Sequence, residues 1–127
     1  MVERRSGHII NLSSIAGKQT YPNGNVYCAS KAAVEALSAG MRQDLNPFGI
    51  KVSNVAPGAV ATEFSEVRFK GDQAKADAVY AGYEPLVAED VAELIRYIVT
   101  APAHVNIADV TILPTAQASA FQILRKN

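Results

Sequence analysis

Residues 25–31 read Asn-Val-Tyr-Cys-Ala-Ser-Lys, which places Tyr27 and Lys31 four positions apart. On a helix, side chains at i and i+4 share a face, so this spacing predicts that the Lys31 ammonium lies beside the Tyr27 ring. A free phenol ionises only at a pH of about 10, but a neighbouring positive charge favours the phenolate. We interpret the pair as a proton-transfer device, with Ser14 upstream as a hydrogen-bond partner for a substrate oxygen.

The helix that carries Tyr27 is predicted to run from Val26 to Leu45, where Asn46-Pro47 and Gly49 end it. Taken alone, the Tyr27/Lys31 spacing also fits an exposed pair on a solvated helix face. Apolar residues recur at helical spacing and predict one buried face, and small residues form a second stripe that suits close contact with another helix. The apolar set is Val34, Leu37, Met41 and Leu45, and the small set is Ala29, Ala32, Ala36 and Gly40.

Two apolar segments on either side of this helix predict strands. Residues 7–12 form an apolar run followed by small and polar residues, which places Ser14 just beyond a strand, and residues 49–58 form a second strand closed by Pro57-Gly58. Open α/β sheets bind ligands at the carboxyl ends of their strands. Ser14 and Thr62 are therefore candidate ligand contacts, although Thr62 also fits a helix N-cap before Glu63.

The segment from Glu63 to about Tyr83 is mixed and polar, and it predicts one or two short helices around Gly71. We interpret it as a loop that covers the substrate. Arg68 or Lys70 is a candidate partner for a substrate carboxylate, because a guanidinium matches a carboxylate with two hydrogen bonds. The alternative is a cation that only faces solvent.

The last third of the chain predicts one helix and one strand. Glu89 to about Thr100 is amphipathic, although Ala88 is a poor N-cap for it, and Asn106 to Leu113 is a strand that Pro114 closes. The predicted buried face of this helix comprises Val91, Leu94, Ile95, Ile98 and Val99.

Three segments together resemble the short-chain dehydrogenase/reductase family. They are residues 11–17 (Asn-Leu-Ser-Ser-Ile-Ala-Gly), 27–31 (Tyr-Cys-Ala-Ser-Lys) and 57–62 (Pro-Gly-Ala-Val-Ala-Thr), in the order and spacing of the family. Within that family, most of the chain is similar to bacterial NADP-dependent 3-hydroxy acid dehydrogenases, which also oxidise serine and allo-threonine. Residues 63–72 carry the most specific part of this similarity, because the family varies most there.

The resemblance implies a Rossmann-like α/β fold with a doubly wound parallel sheet, of which this chain forms the C-terminal half with about three strands. It implies hydride transfer between NADP and the hydroxyl carbon of a short 3-hydroxy acid or serine-like molecule, and NAD is kept as an alternative. Tyr27 is then the general acid/base, Ser14 positions the reacting oxygen, and Arg68 binds the substrate. The implied cofactor contacts are Tyr27, Lys31, Pro57, Gly58, Val60 and Thr62.

The first half of that family carries a Gly-rich turn that binds the cofactor pyrophosphate at a helix N-terminus. This chain has eight glycines, and no two of them are separated by a single residue, so it has no G-x-G motif. We therefore expect residues 1–127 to be the C-terminal catalytic half of a longer domain, with an exposed sheet edge. The alternative is a catalytically silent, oligomerising fragment.

Composition excludes several other classes. Twelve basic and twelve acidic residues cancel, so nothing suggests a nucleic-acid partner, and no run of about 18 apolar residues predicts a membrane span. The single cysteine, Cys28, is expected to be a buried thiol and fits a reducing cytoplasm. His8 and His104 are isolated, so we predict no metal, and Ser14 lacks the G-x-S-x-G elbow of a hydrolase.

By the resemblance, we expect a homo-oligomer, a tetramer, with the tail from Thr115 in subunit contacts.

Overall fold

The computed structural model describes residues 1–68 and 70–126. A parallel three-stranded sheet with the order β1-β2-β3 forms its centre. Its strands are β1 (Gly7–Leu12), β2 (Ile50–Pro57) and β3 (Asp109–Ile112). The register pairs Leu12 with Val55 and Pro57 with Ile112, so the carboxyl ends of the strands lie at one edge. The prediction of an α/β fold with a parallel sheet is confirmed.

In the described part of the chain, four α-helices accompany the sheet: α1 (Asn25–Leu45), α2 (Phe64–Arg68), α3 (Gln73–Tyr80) and α4 (Ala88–Thr100). Short 3₁₀ turns occupy Ile15–Gly17 and Asn46–Phe48. Of the one or two short helices expected around Gly71, two are present, and Gly71 itself has φ of +85°, which only glycine adopts without strain. None of the helices in the described residues is long and apolar enough to cross a membrane.

The helices cover both faces of the sheet. Side chains alternate along a strand, so Asn11 and Val52 point to one face while Val55 points to the other. The Asn11 amide donates to the Ser38 hydroxyl of α1 at 2.9 Å, which places α1 on the first face. Val55 packs with Val91 and Ile98 of α4 in the buried core, which places α4 on the second face.

Strand β2 is the buried centre of the sheet, and β1 and β3 are its edge strands. Seven of the eight residues of β2 are buried, whereas every residue of β1 is intermediate or exposed. Among the described residues, β1 pairs only with β2. The expectation of an exposed sheet edge is therefore confirmed.

Three details of the sequence interpretation are wrong. Leu37 is 60% exposed and Val99 is 48% exposed, so neither belongs to the buried face of its helix. Helix α1 instead buries Cys28 and Ser38 because the helix is rotated so that this side faces the sheet. The third strand is shorter than predicted, since its pairing with β2 begins only at Asp109. The expectation of a buried Cys28 thiol is confirmed.

Helix α4 begins at Ala88 and lacks a conventional N-cap side chain, because Val87 occupies that position. The carboxylate of Asp90 accepts a hydrogen bond from the Val87 backbone N–H at 2.9 Å. A carboxylate in the first turn also interacts favourably with the positive end of the helix dipole. Asp90 therefore stabilises a helix start at which the sequence offers no Ser, Thr, Asp or Asn cap.

Candidate active site

A cavity of about 560 Å³ opens at the carboxyl edge of the sheet. Such a volume suits a small-molecule site. The segments that follow all three strands contribute to its wall, together with helices α2 and α3 and the C-terminal tail. Seven of the eight predicted site residues line it: Ser14, Tyr27, Pro57, Gly58, Val60, Thr62 and Arg68.

Ser14 lies two residues beyond β1 and is buried. Its hydroxyl accepts the Ala16 backbone N–H at 3.1 Å and donates to the Pro57 carbonyl oxygen at 3.3 Å. The second bond is long for a hydroxyl donor, whose usual distance is about 2.7–2.8 Å. The Ser14 hydroxyl is thus held at the cavity wall with only a long contact to the Pro57 carbonyl oxygen.

Tyr27 and Lys31 lie side by side in the first turns of α1, as their spacing predicts. The Lys31 Nζ is 5.9 Å from the centroid of the Tyr27 ring and donates to the Leu12 carbonyl oxygen at 3.2 Å. Leu12 is itself part of the cavity wall, whereas Lys31 is not one of the lining residues. The Tyr27 ring also contacts Phe64 of α2, with a centroid separation of 5.6 Å.

Gly17 brings the Ser14 turn directly against α1. A Cβ atom at Gly17 would lie 2.8 Å from both the carbonyl carbon and the carbonyl oxygen of Lys31. Carbon atoms of non-bonded groups prefer separations of about 3.5–4.0 Å. Only glycine therefore permits this approach, which fixes the turn beside the residue pair on α1.

A residue of the C-terminal tail holds the loop after β2 in place. The buried Gln117 side chain accepts the Ala59 backbone N–H at 2.9 Å and donates to the Ser119 carbonyl oxygen at 3.0 Å. A Cβ atom at Gly58 would lie only 2.2 Å from the Gln117 Oε1 atom. A side chain at position 58 would thus displace the glutamine that holds this loop.

Val60 and Thr62 continue the same loop. The Val60 carbonyl oxygen accepts the Tyr80 hydroxyl at 2.7 Å, which ties the loop to helix α3. The Thr62 hydroxyl accepts the Phe64 backbone N–H at 3.3 Å, at the start of α2. Thr62 therefore serves the beginning of a helix and also lines the cavity, so its two interpretations are compatible.

Arg68 and Tyr21 form one side of the cavity. The Arg68 guanidinium carbon is 5.7 Å from the centroid of the Tyr21 ring, a cation–π distance. Burial raises the pKa of Tyr21, and the nearby Arg68 charge opposes that rise only in part. Lys70, the other candidate cation, is exposed on the turn that follows α2.

Sequence reasoning missed several cavity residues. Gln117, Tyr21, Tyr80 and Tyr83 belong to no motif and come from separate parts of the chain. Burial raises the pKa of Tyr83, and its hydroxyl has no hydrogen-bond partner among the described residues. Arg125 lies over the Tyr83 ring at 5.2 Å and donates to the Val79 carbonyl oxygen at 3.0 Å. The tail thus completes the cavity wall next to α3.

The two histidines lie away from this cavity. His8 is on β1, where its Nε2 lies 2.7 Å from the Ser53 Oγ, and burial together with the Lys51 charge lowers its pKa. His104 is exposed in the connection to β3. In the part of the chain that the structure describes, no group of three or more His, Cys, Asp or Glu side chains is placed to hold a metal ion.

A sequence model of the short chain dehydrogenase family matches residues 1–73, more than half of the chain. The chain belongs to the short-chain dehydrogenase family. The turn with Ser14 and the Tyr27/Lys31 pair both lie within the matched residues.

Relatives in this family are identical to the chain at about half of the aligned positions. Sulfoacetaldehyde reductase 2 of Chromohalobacter salexigens is 50% identical over 127 residues, which cover 98% of this chain and 50% of that protein. The NADP-dependent 3-hydroxy acid dehydrogenase YdfG of Escherichia coli is 47% identical over 121 residues, which cover 94% of this chain and 49% of that protein.

A solved structure agrees with the fold. The closed form of a serine dehydrogenase complexed with NADP+ superposes with a TM-score of 0.92 at 44% identity, covering all of this chain and 52% of that one. The chain thus spans about half the length of the relatives that it matches.

Proposed function

We propose that this chain supplies the catalytic half of a cytoplasmic NADP-dependent dehydrogenase that acts on short 3-hydroxy acids or serine-like molecules. The observation that carries the proposal is the meeting of Ser14 and Tyr27 in one cavity, with the Lys31 ammonium beside the Tyr27 ring. Relatives that are 44–50% identical are named as a 3-hydroxy acid dehydrogenase, a serine dehydrogenase and a sulfoacetaldehyde reductase.

The residues present fit one end of a nicotinamide cofactor. Tyr27 and Lys31 offer hydroxyl and ammonium groups suited to ribose hydroxyls, and the Thr62 hydroxyl with the backbone of residues 57–60 is suited to the carboxamide side. The chain has no Gly-rich turn for the pyrophosphate, which we assign to a segment outside residues 1–127. We name NADP because relatives bind or use it, and NAD is the alternative.

The proposed reaction is a proton transfer coupled to oxidation of the hydroxyl carbon. Ser14 donates a hydrogen bond to the substrate oxygen, and the Tyr27 oxygen takes the hydroxyl proton. The Lys31 ammonium lies beside the Tyr27 ring, 5.9 Å from its centroid. A bound nicotinamide would supply the acceptor for the hydride that leaves the hydroxyl carbon. In the reverse direction, Tyr27 returns the proton to the carbonyl oxygen that Ser14 holds.

Arg68 is the proposed partner for the acidic group of the substrate. It lines the cavity, whereas Lys70 lies on the exposed turn beyond α2. The substrates named for the relatives carry a carboxylate or a sulfonate, and a guanidinium binds the oxygens of either group with paired hydrogen bonds. The substrate is therefore a small hydroxy compound with one anionic end.

Replacement of Tyr27 by Phe tests the reaction most simply. In the whole polypeptide that carries this chain, Tyr27→Phe is expected to lower kcat about 10²- to 10⁴-fold, because the proton acceptor is lost. Tyr97→Phe is the matched control, since Tyr97 is 68% exposed on α4. NADP reduction with 3-hydroxy acids gives the rates, and an unchanged kcat for Tyr27→Phe would refute the proposal. Turnover by residues 1–127 alone would exclude a silent fragment.

Replacement of Arg68 by Ala tests the substrate class. We expect KM for an anionic substrate to rise about tenfold or more, since a charge-assisted hydrogen bond contributes about 1.5–3 kcal/mol. KM for an uncharged alcohol should stay the same, and Lys70→Ala should change neither value. Comparing a carboxylate with the matching sulfonate distinguishes the two anions. If KM for both anions is the same in Arg68→Ala and wild type, Arg68 does not bind the substrate.

We further infer a homo-oligomer that forms through helix α1. Between Val26 and Leu37 the exposed residues of this helix are apolar or small, with Val26 85% exposed and Leu37 60% exposed. Ala29, Ala33 and Ala36 are exposed on the same helix, and small residues allow another helix to approach closely. A second copy of this chain would bury the face that the sheet leaves uncovered.

Replacement of Leu37 by Glu is expected to dissociate this oligomer, because a carboxylate in an apolar interface is costly to desolvate. Sedimentation velocity of the whole polypeptide measures the result, with Val99→Glu on α4 as a control that leaves the assembly intact. A monomeric wild-type protein would contradict the inference, and so would a Leu37→Glu protein that keeps the wild-type assembly.

A further inference from the structure

Helix α1 carries a third functional side chain in line with Tyr27 and Lys31. Glu35 follows Lys31 by four residues, so all three lie along one side of the helix. The Glu35 side chain is only 18% exposed, although carboxylates are rarely buried without partners. The proposed proton transfer does not use Glu35, so its burial needs another explanation.

Glu35 binds both ends of the turn that holds Ser14. The Ser13 hydroxyl donates to Glu35 Oε1 at 2.5 Å, and the Lys18 ammonium donates to Glu35 Oε2 at 3.0 Å. Ser13 immediately precedes Ser14, and Lys18 immediately follows the 3₁₀ turn at Ile15–Gly17. One carboxylate thus joins the whole Ser14 turn to the helix of Tyr27.

The cluster extends to the third strand. The Lys18 ammonium also donates to both carboxylate oxygens of Asp109, at 2.9 and 2.7 Å. Asp109 begins β3, next to the fully buried Asn54 of β2. Lys18 therefore connects the turn, helix α1 and the sheet through charged hydrogen bonds, which are stronger than neutral ones.

The charges of the cluster are mutually stabilising. Burial alone would raise the pKa of Glu35, but hydrogen bonds from Ser13 and Lys18 outweigh it and hold the pKa below its usual value. Burial likewise opposes the ionised form of Lys18, yet Asp109 and Glu35 raise its pKa overall. The Asn54 amide also favours the ionised form of Glu35, although the two side chains are not placed to form a hydrogen bond.

We propose that Glu35 is a positioning residue that fixes the Ser14 hydroxyl relative to Tyr27. This inference rests on the proposed dehydrogenase function. Its physical reason is the sensitivity of catalysis to geometry, since a displacement of about 1 Å can cost about 100-fold in rate. Without the carboxylate, Gly17 still packs on α1, but Ser13 and Lys18 lose the partner that both of them bind.

Glu35→Ala and Glu35→Gln in the whole polypeptide test the proposal. Glu35→Ala should lower kcat about tenfold or more while the Kd for NADPH, measured by fluorescence, stays within about twofold of wild type. Glu35→Gln keeps an acceptor for Ser13 and should restore part of kcat. Hydrogen exchange at the Gly17 and Lys18 amides should be faster in Glu35→Ala. Glu93→Ala, which breaks the exposed pair with Arg96 on α4, should change none of these values.

The outcomes separate this proposal from the function on which it rests. An unchanged kcat in Glu35→Ala, with Tyr27→Phe inactive, would overturn the role of Glu35 and leave the dehydrogenase function in place. A loss of kcat that only follows a loss of folded, NADPH-binding protein would also overturn it, because Glu35 would then be merely structural. Full activity of Tyr27→Phe would instead refute the function. Lys18→Met also breaks the cluster, and we expect it to lower kcat by a smaller factor than Glu35→Ala.

Discussion

The close approach of Gly17 to the backbone of α1 is the constraint on which the site depends. A side chain at position 17 would lie 2.8 Å from the Lys31 carbonyl group, so the turn and the helix can meet only at a glycine. This contact brings Ser14, from the end of β1, to the same cavity as Tyr27 on α1. The hydrogen bond from Lys31 to the Leu12 carbonyl oxygen reinforces the contact at the end of the strand.

The other parts of the cavity are built around this contact. Parallel strands deliver their carboxyl ends to one edge, so the segments after β1, β2 and β3 meet there. Gln117 holds the loop after β2, and the Tyr80 hydroxyl ties that loop to α3. Glu35 of α1 and Lys18 also hold the Ser14 turn in place. Several polar contacts, rather than a large apolar core, thus determine where Ser14 and Tyr27 lie.

Local patterns predicted the helices, the strands and the contact between Tyr27 and Lys31, because these depend on residues close in sequence. The i, i+4 spacing of Tyr27 and Lys31 and the end of α1 at Asn46-Pro47 are such patterns, and the structure confirms both. The rotation of α1 depends on how it packs against the sheet, so Leu37 was assigned to the wrong face. Gln117 and Glu35 reach their partners across 58 and 22 residues of sequence, and no motif marks them.

The kcat of a Gly17→Ala variant, measured in the whole polypeptide, tests this account most directly. The added methyl group must push the Ser14 turn away from α1, so we predict that kcat falls at least about tenfold while the protein still binds NADPH. Glu93→Ala is the control, because Glu93 is exposed on α4, where it pairs with Arg96. A Gly17→Ala variant with the kcat of wild type would contradict the account.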